Sequence, residues 1–144
     1  MADAEVLLVD NGSLAPAATL RLREIAGALA GRIGRPVAAV SLLHASAVPA
    51  DQLGGVPAEI LAPALARRLE QGRRDFVVVP LFFGPSRALT EYLPACVAKL
   101  RAHHFPFTLR LAPPLFQPAD GRLAQILAEL VRSTVAATRA SLPA

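Results

Sequence analysis

Few side chains in this 144-residue chain can do chemistry beyond packing. It has three histidines, His44, His103 and His104, and one cysteine, Cys96. A neutral imidazole binds transition metals and accepts protons near neutral pH. His44 with Asp10 and Glu91 would hold a divalent ion if the three converged. Each also has a plainer role. His44 reads as a loop histidine satisfied by a backbone carbonyl, and Asp10 as the brace of a turn. Glu91 reads as an acid in the first turn of a helix, favoured by the helix dipole. Ser13 and Ser86 could donate to an anion at helix N-termini. Arg87 is either a solvated loop residue or a clamp for a carboxylate, which a guanidinium grips with two parallel hydrogen bonds. Cys96 falls at a helical position and reads as a small core residue. One cysteine excludes an internal disulfide framework and a cysteine zinc cluster.

The elements that must position these groups follow from hydrophobic spacing. Val6 to Val9 is a short apolar strand running into the turn Asp10-Asn-Gly-Ser13. Leu22, Ile25, Leu29 and Ile33 recur at three and four, which predicts a helix over about 17–33, stopped by Gly34 and Pro36. Val37 to Leu43 is a second strand, and 45–58 is a loop by composition. Leu61, Leu65 and Leu69 mark a helix ending at Gly72, with Pro63 either in its first turn or kinking it. Phe76 to Phe83 is almost continuously apolar, as in parallel strands buried on both faces. Leu89, Leu93, Val97 and Leu100 predict a third helix, Phe105 to Leu111 a fourth strand, and Leu123 to Val131 a fourth helix. The order βαβαβαβα implies an α/β domain with a parallel sheet and helices on both faces. Residues 1–140 are expected to form one domain, with a frayed tail at 141–144.

Open α/β sheets bind ligands outside the carboxyl ends of their strands. Four segments meet there: 10–13, His44 and its loop, 83–87, and 112–116. His103 and His104 end the third helix on the opposite edge. The third strand ends Val79-Pro-Leu-Phe-Phe-Gly84 with no carboxylate, which excludes a phosphorelay receiver. No GxGxxG, P-loop or GxSxG occurs, so dinucleotide, triphosphate and serine-hydrolase readings have no support. The net charge is +4, and fourteen of the fifteen basic residues are arginines scattered in ones and twos. With aromatics at 5%, that is not the interleaved basic-aromatic surface of a nucleic-acid module. No run approaches the roughly 18 apolar residues of a membrane span. Met1-Ala-Asp-Ala-Glu5 has no basic n-region, so a cytoplasmic protein is expected, without nucleic-acid or membrane partners.

Two stretches resemble one family. Leu7-Leu-Val-Asp-Asn-Gly-Ser13 is similar to the L-[LI]-V-G-H-G-S opening of the small sirohydrochlorin chelatases, the CbiX-type cobalt and iron chelatases. The run from Val77 to Pro94 resembles that family's V-V-V-P-L-F, six residues ending in His, then V-x-E-D-[LI]-P. The spacing from Pro80 to Pro94 fits without a gap. Leu111-Ala-Pro-Pro-Leu115 resembles the last strand and turn, and 45–58 reads as an enlarged loop.

The resemblance implies a three-layer, chelatase-like (flavodoxin-like) domain with a four-stranded parallel sheet in the order 2-1-3-4. It implies a lyase of cobalamin or sirohaem synthesis that inserts Co²⁺ or Fe²⁺, as substrate, into a tetrapyrrole. No tightly bound cofactor is implied, and the single-domain forms are homodimers. The high apolar fraction, 53%, agrees with a homodimer burying apolar surface. The family's chemistry rests on two histidines, and here they fall on Asn11 and Ala88. Asparagine is a weak oxygen ligand and no base, and alanine offers nothing. Asn11, Ser13, Ser86 and Arg87 are then expected to contact substrate, with His44 the only imidazole left for catalysis. Phe82, Phe83, Leu115 and Phe116 could form an apolar wall for a flat macrocycle. Two function classes follow: a divergent chelatase, or a non-catalytic tetrapyrrole- or metal-binding protein. The second class includes a partner subunit that forms a hetero-dimer with an active chelatase.

Overall fold

The structure is a computed structural model that describes residues 4–104 and 106–141. Phe105 lies outside them, as does the expected tail beyond Ser141. Chain order is β1 (Glu5–Asp10), α1 (Pro16–Ile33), β2 (Val37–Ser41), α2 (Leu61–Glu70), β3 (Asp75–Pro80), α3 (Leu93–His103), β4 (Thr108–Leu111) and α4 (Arg122–Ser141). All strand pairs are parallel, in the order β2-β1-β3-β4. The sheet does not stop at these four strands. Ile60 makes a single parallel bridge to Ser41 beyond β2. Counted with that one-residue rung the sheet has five strands, and its order reads 3-2-1-4-5. The expected four-stranded sheet was therefore incomplete. The loop 45–58, read as irregular, curls through two short 3₁₀ turns and then comes back alongside β2.

Alternation along the strands builds two unequal cores. Leu7 and Val9 of β1, Val40, Phe76 and Val78 point to one face, where Leu61, Leu65 and Leu69 of α2 and Leu93, Val97 and Leu100 of α3 cover them. Each such side chain contributes about 1.5–3 kcal/mol on burial. Leu8 points to the other face, against Leu22 and Ala26 of α1, with Val37, Ala39, Val79 and Leu81 only half-buried around them. The apolar run of β3 predicted burial on both faces. Instead Phe76, Val78 and Pro80 are buried while Val77 and Val79 are half-exposed. The cause is helix placement, because α1 sits over β2 and β1 and neither core includes a residue of α4.

Local chemistry sets the element ends. Gly34 adopts the left-handed conformation (φ 70°), and its N–H bonds the Ala30 carbonyl to close α1. β2 ends two residues before Leu43, the expected limit, yet Leu42 and Leu43 still donate to the carbonyls of Asp10 and Asn11 (2.9 and 3.0 Å). β3 ends at Pro80, not Phe83; Phe82 packs against the larger core and Phe83 turns outward. The continuous third helix expected from Leu89 is split. Residues Ala88–Tyr92 form one π turn, in which the Leu93 N–H reaches back to the Ala88 carbonyl. Pro94 supplies the reason, because it has no N–H for an α-type bond and its ring would strike the Thr90 carbonyl.

Candidate functional site at the carboxyl edge of the sheet

The turn after β1 is pressed against the end of β2. Gly12 has φ 97°, and a Cβ there would lie 1.7 Å from the Leu43 carbonyl oxygen. Only glycine fits, and the close approach holds Asn11 beside Leu43. Below this contact the Ser41 hydroxyl donates to Asp10 Oδ1 at 2.6 Å, bracing β1 to β2. Burial pushes the Asp10 carboxyl above the ordinary aspartate range, against the lowering effect of the Ser41 bond. Asp10 is thus committed to its neighbour strand, as the turn-bracing reading expected.

On its other side Leu43 lines an open hollow of about 470 Å³ with Arg87, Ala88, Glu91 and Tyr92. The sheet order creates this hollow, since the loops after β1, β2 and β3 open on the same edge. Arg87 and Glu91 pair across one turn at 2.5 Å, with both side chains exposed. Ala88 lines the hollow but offers it no polar group. Ser86 forms the base of the π turn. Its carbonyl accepts from Leu89 N and Thr90 N (3.0 and 2.8 Å), while its buried Oγ has no protein partner among the described residues. Ser13 Oγ accepts the Ala15 N–H at 3.0 Å, so it braces the entry to α1.

An exposed apolar shelf borders these loops. Phe83 is 72% and Phe116 54% exposed. Backbone bonds from Leu115 N to Phe82 O (2.9 Å) and from Phe116 N to Phe83 O (2.7 Å) tie the loop after β4 to the loop after β3. Leu115 extends the shelf, whereas Phe82 belongs to the core and drops out of the expected wall.

The structure does not gather the candidate ion ligands. His44 is exposed at φ 72°, and among the described residues its imidazole has no hydrogen-bond partner. The expectation that a backbone carbonyl satisfies it is not met among the described residues, where the exposed ring lies open to solvent. Among the described residues no three of His, Cys, Asp and Glu lie close enough to hold an ion together. Asp10 bonds Ser41 and Glu91 bonds Arg87. His103 ends α3, at the other end of that helix from the 83–87 loop, and its Nδ1 contacts the Lys99 carbonyl at 3.2 Å. Cys96 is half-buried and outside both cores, not the core residue expected. It lines a groove with Tyr92, Lys99 and His103, because the π turn rotates α3 relative to an unbroken helix. Leu43 and Tyr92 were missed as lining residues. The Asn11-Gly12 pair, a turn signal that brings the chain close to a neighbour, was the available hint for Leu43.

Comparison with known structures gives the same architecture. One match is the crystal structure of a cobalamin (vitamin B12) biosynthesis CbiX protein from Marinobacter aquaeolei VT8. The two are 25% identical, the match covers 92% of this chain and 97% of that one, and the TM-score is 0.67. The chain is CbiX-like. No protein-family model and no curated protein sequence matches it. The CbiX-like scaffold therefore carries Asn11 and Ala88 where the resemblance implies histidines. Among the described residues no helix is long and apolar enough to cross a membrane.

Proposed function

We propose that this CbiX-like protein binds a tetrapyrrole at the carboxyl edge of its sheet and does not insert metal by the two-histidine route. The observation that carries this reading is the hollow lined by Leu43, Arg87 and Ala88, on the same edge as the exposed shelf of Phe83 and Phe116. A flat apolar ring system can stack on that shelf. Its peripheral carboxylates can then meet Arg87, exposed at the hollow's rim and free to exchange Glu91 for a ligand. Asn11 and Ser13, in the turn after β1 that bonds Leu43, would add polar contacts from the same edge, and the buried hydroxyl of Ser86 is a further donor. At positions 11 and 88 there is no group that can take the pyrrole protons released on metallation.

The second reading keeps catalysis. His44 is exposed and its imidazole unpartnered, so it can take a proton or bind Co²⁺ or Fe²⁺ delivered as substrate. Titration with sirohydrochlorin, followed by absorbance with and without Co²⁺, separates the two. Saturable binding with metallation no faster than the spontaneous rate is expected. Faster metallation, lost in His44→Ala, would establish the catalytic reading instead. Absence of binding in both arms would overturn the tetrapyrrole proposal.

A further inference from the structure

Between α3 and the start of α2 runs a groove of about 790 Å³, within the roughly 300–1,000 Å³ of small-molecule sites. It is distinct from the carboxyl-edge hollow, and Tyr92 stands between the two as a wall of each. Its lining recurs at three and four residues along α3, whose 11 residues span roughly 16 Å, so the groove is long. Ala62, Ala95 and the buried Leu100 make its sides aliphatic. The two ends differ. Tyr92 and Cys96 occupy one, where hydrogen bonding to Cys96 pushes the Tyr92 phenol above its ordinary range and keeps the ring uncharged. Lys99, His103 and His104 occupy the other. Lys99 is the only lysine of the chain, and among the described residues its ammonium has no ion pair. His103 is held at this end by the contact of its Nδ1 with the Lys99 carbonyl (3.2 Å), which leaves Nε2 for a ligand. No carboxylate of the described residues lines the groove. The adjoining hollow, which shares His103 and His104, has one acid, Glu70, accompanied by Arg74.

We propose that this groove binds a medium-chain fatty carboxylate, its alkyl chain lying along α3 and its carboxylate at Lys99 and His103. Charge selects the head group. An unpaired ammonium beside two imidazoles, with no acid in the lining, attracts an anion and offers a cation nothing to pair with. The aliphatic sides select the tail, because each methylene laid against them leaves water. The length of the groove suits one extended chain, whereas the flat shelf of Phe83 and Phe116 at the carboxyl edge suits a ring system. The inference rests on the groove alone, independent of what the carboxyl edge binds.

Octanoate is the probe, and Cys96, the only cysteine of the chain, reports from inside the groove. Octanoate is expected to slow the reaction of Cys96 with N-ethylmaleimide in a saturable way. Isothermal titration gives the same affinity without the thiol. Lys99→Ala is expected to weaken octanoate about tenfold, the loss of one charge-assisted contact, with helical circular dichroism retained. Ala95→Trp, at an exposed position of the lining, is expected to fill the groove and abolish the binding heat. Octan-1-ol, with the same tail and no charge, is expected to bind at least about tenfold more weakly than octanoate. Arg87→Ala is expected to bind octanoate as the unmodified protein does. Loss of binding in Arg87→Ala would place the probe at the carboxyl edge and overturn the proposal. Octan-1-ol binding as well as octanoate, or Lys99→Ala binding unchanged, would remove the charge argument and overturn it too. Absence of both thiol protection and binding heat at millimolar octanoate would refute it outright.

Discussion

Gly12 and Arg87 show two ways in which one residue can matter at this edge. Gly12 is fixed by sterics: any Cβ meets the Leu43 carbonyl, and its left-handed φ adds strain. Gly12→Ala is expected to cost about 2–4 kcal/mol, read as a lower urea midpoint, and to loosen the Asn11–Leu43 contact. Arg87 is the opposite case. Its pair with Glu91 is exposed and spans one helical turn, so it contributes little to folding. Arg87→Ala should leave the urea midpoint unchanged while weakening sirohydrochlorin binding about tenfold, the loss of one charge-assisted contact to a carboxylate. An equal loss of stability and binding would instead make Arg87 a structural residue. Neither role could be read from residue type. The sequence placed both residues at the carboxyl ends of the strands, but the carbonyl that meets Gly12 comes from Leu43, just past the end of β2.

At the scale of elements, α2 is tied to β1 by charge as well as by its leucines. Arg68 is buried, and it bonds Glu5 at 2.7 Å and Glu59 at 2.9 Å. Arg67 also pairs with Glu59, and Arg73 with Glu5. Burial alone would push the Glu59 carboxyl up. The bonds from Arg68 and Arg67 outweigh it and hold Glu59 below the usual glutamate range. A carboxylate depressed in the folded state contributes stability above its unfolded pKa of about 4.3, and that stability is lost as the pH falls through the folded value. Glu59→Gln should therefore be less stable than the unmodified protein at pH 7, with the difference closing below about pH 4, measured by urea unfolding at both pH values. Arg68→Met, which leaves two half-buried carboxylates without their shared partner, should cost about 3 kcal/mol at pH 7. The leucine spacing made α2 legible in advance. This network was not, because Glu5, Glu59 and Arg68 are each unremarkable in their own segments.

For the molecule as a whole, parallel pairing of β1 with both β2 and β3 decides what can meet at the edge. Asn11 follows β1 and Ala88 follows β3, and Leu43 touches both neighbourhoods. Placing imidazoles at both positions should recreate a two-histidine hollow. Asn11→His with Ala88→His is expected to raise Co²⁺ affinity at least about tenfold over either single variant, since two ligands on one ion act together, by isothermal titration. Additive, weak binding in the double variant would mean that the two side chains do not share the hollow.

By itself the sequence determined the alternation of strands and helices and the parallel sheet. These follow from periodicity and short connections, and both are local properties of the chain. It also carried the CbiX-like motifs, with Asn11 and Ala88 where the resemblance implies histidines, because residue identity and spacing are visible without a fold. Tertiary structure alone decided the rest. The one-residue rung at Ile60, the half-bare face of β3 and the exposed apolar stripe of α4 all depend on which surfaces meet. So does the separation of Asp10, His44 and Glu91, each of which the sequence could place near the edge but not aim. Contacts between distant segments choose a side chain's direction, and hydrophobic patterning fixes only the face from which it starts.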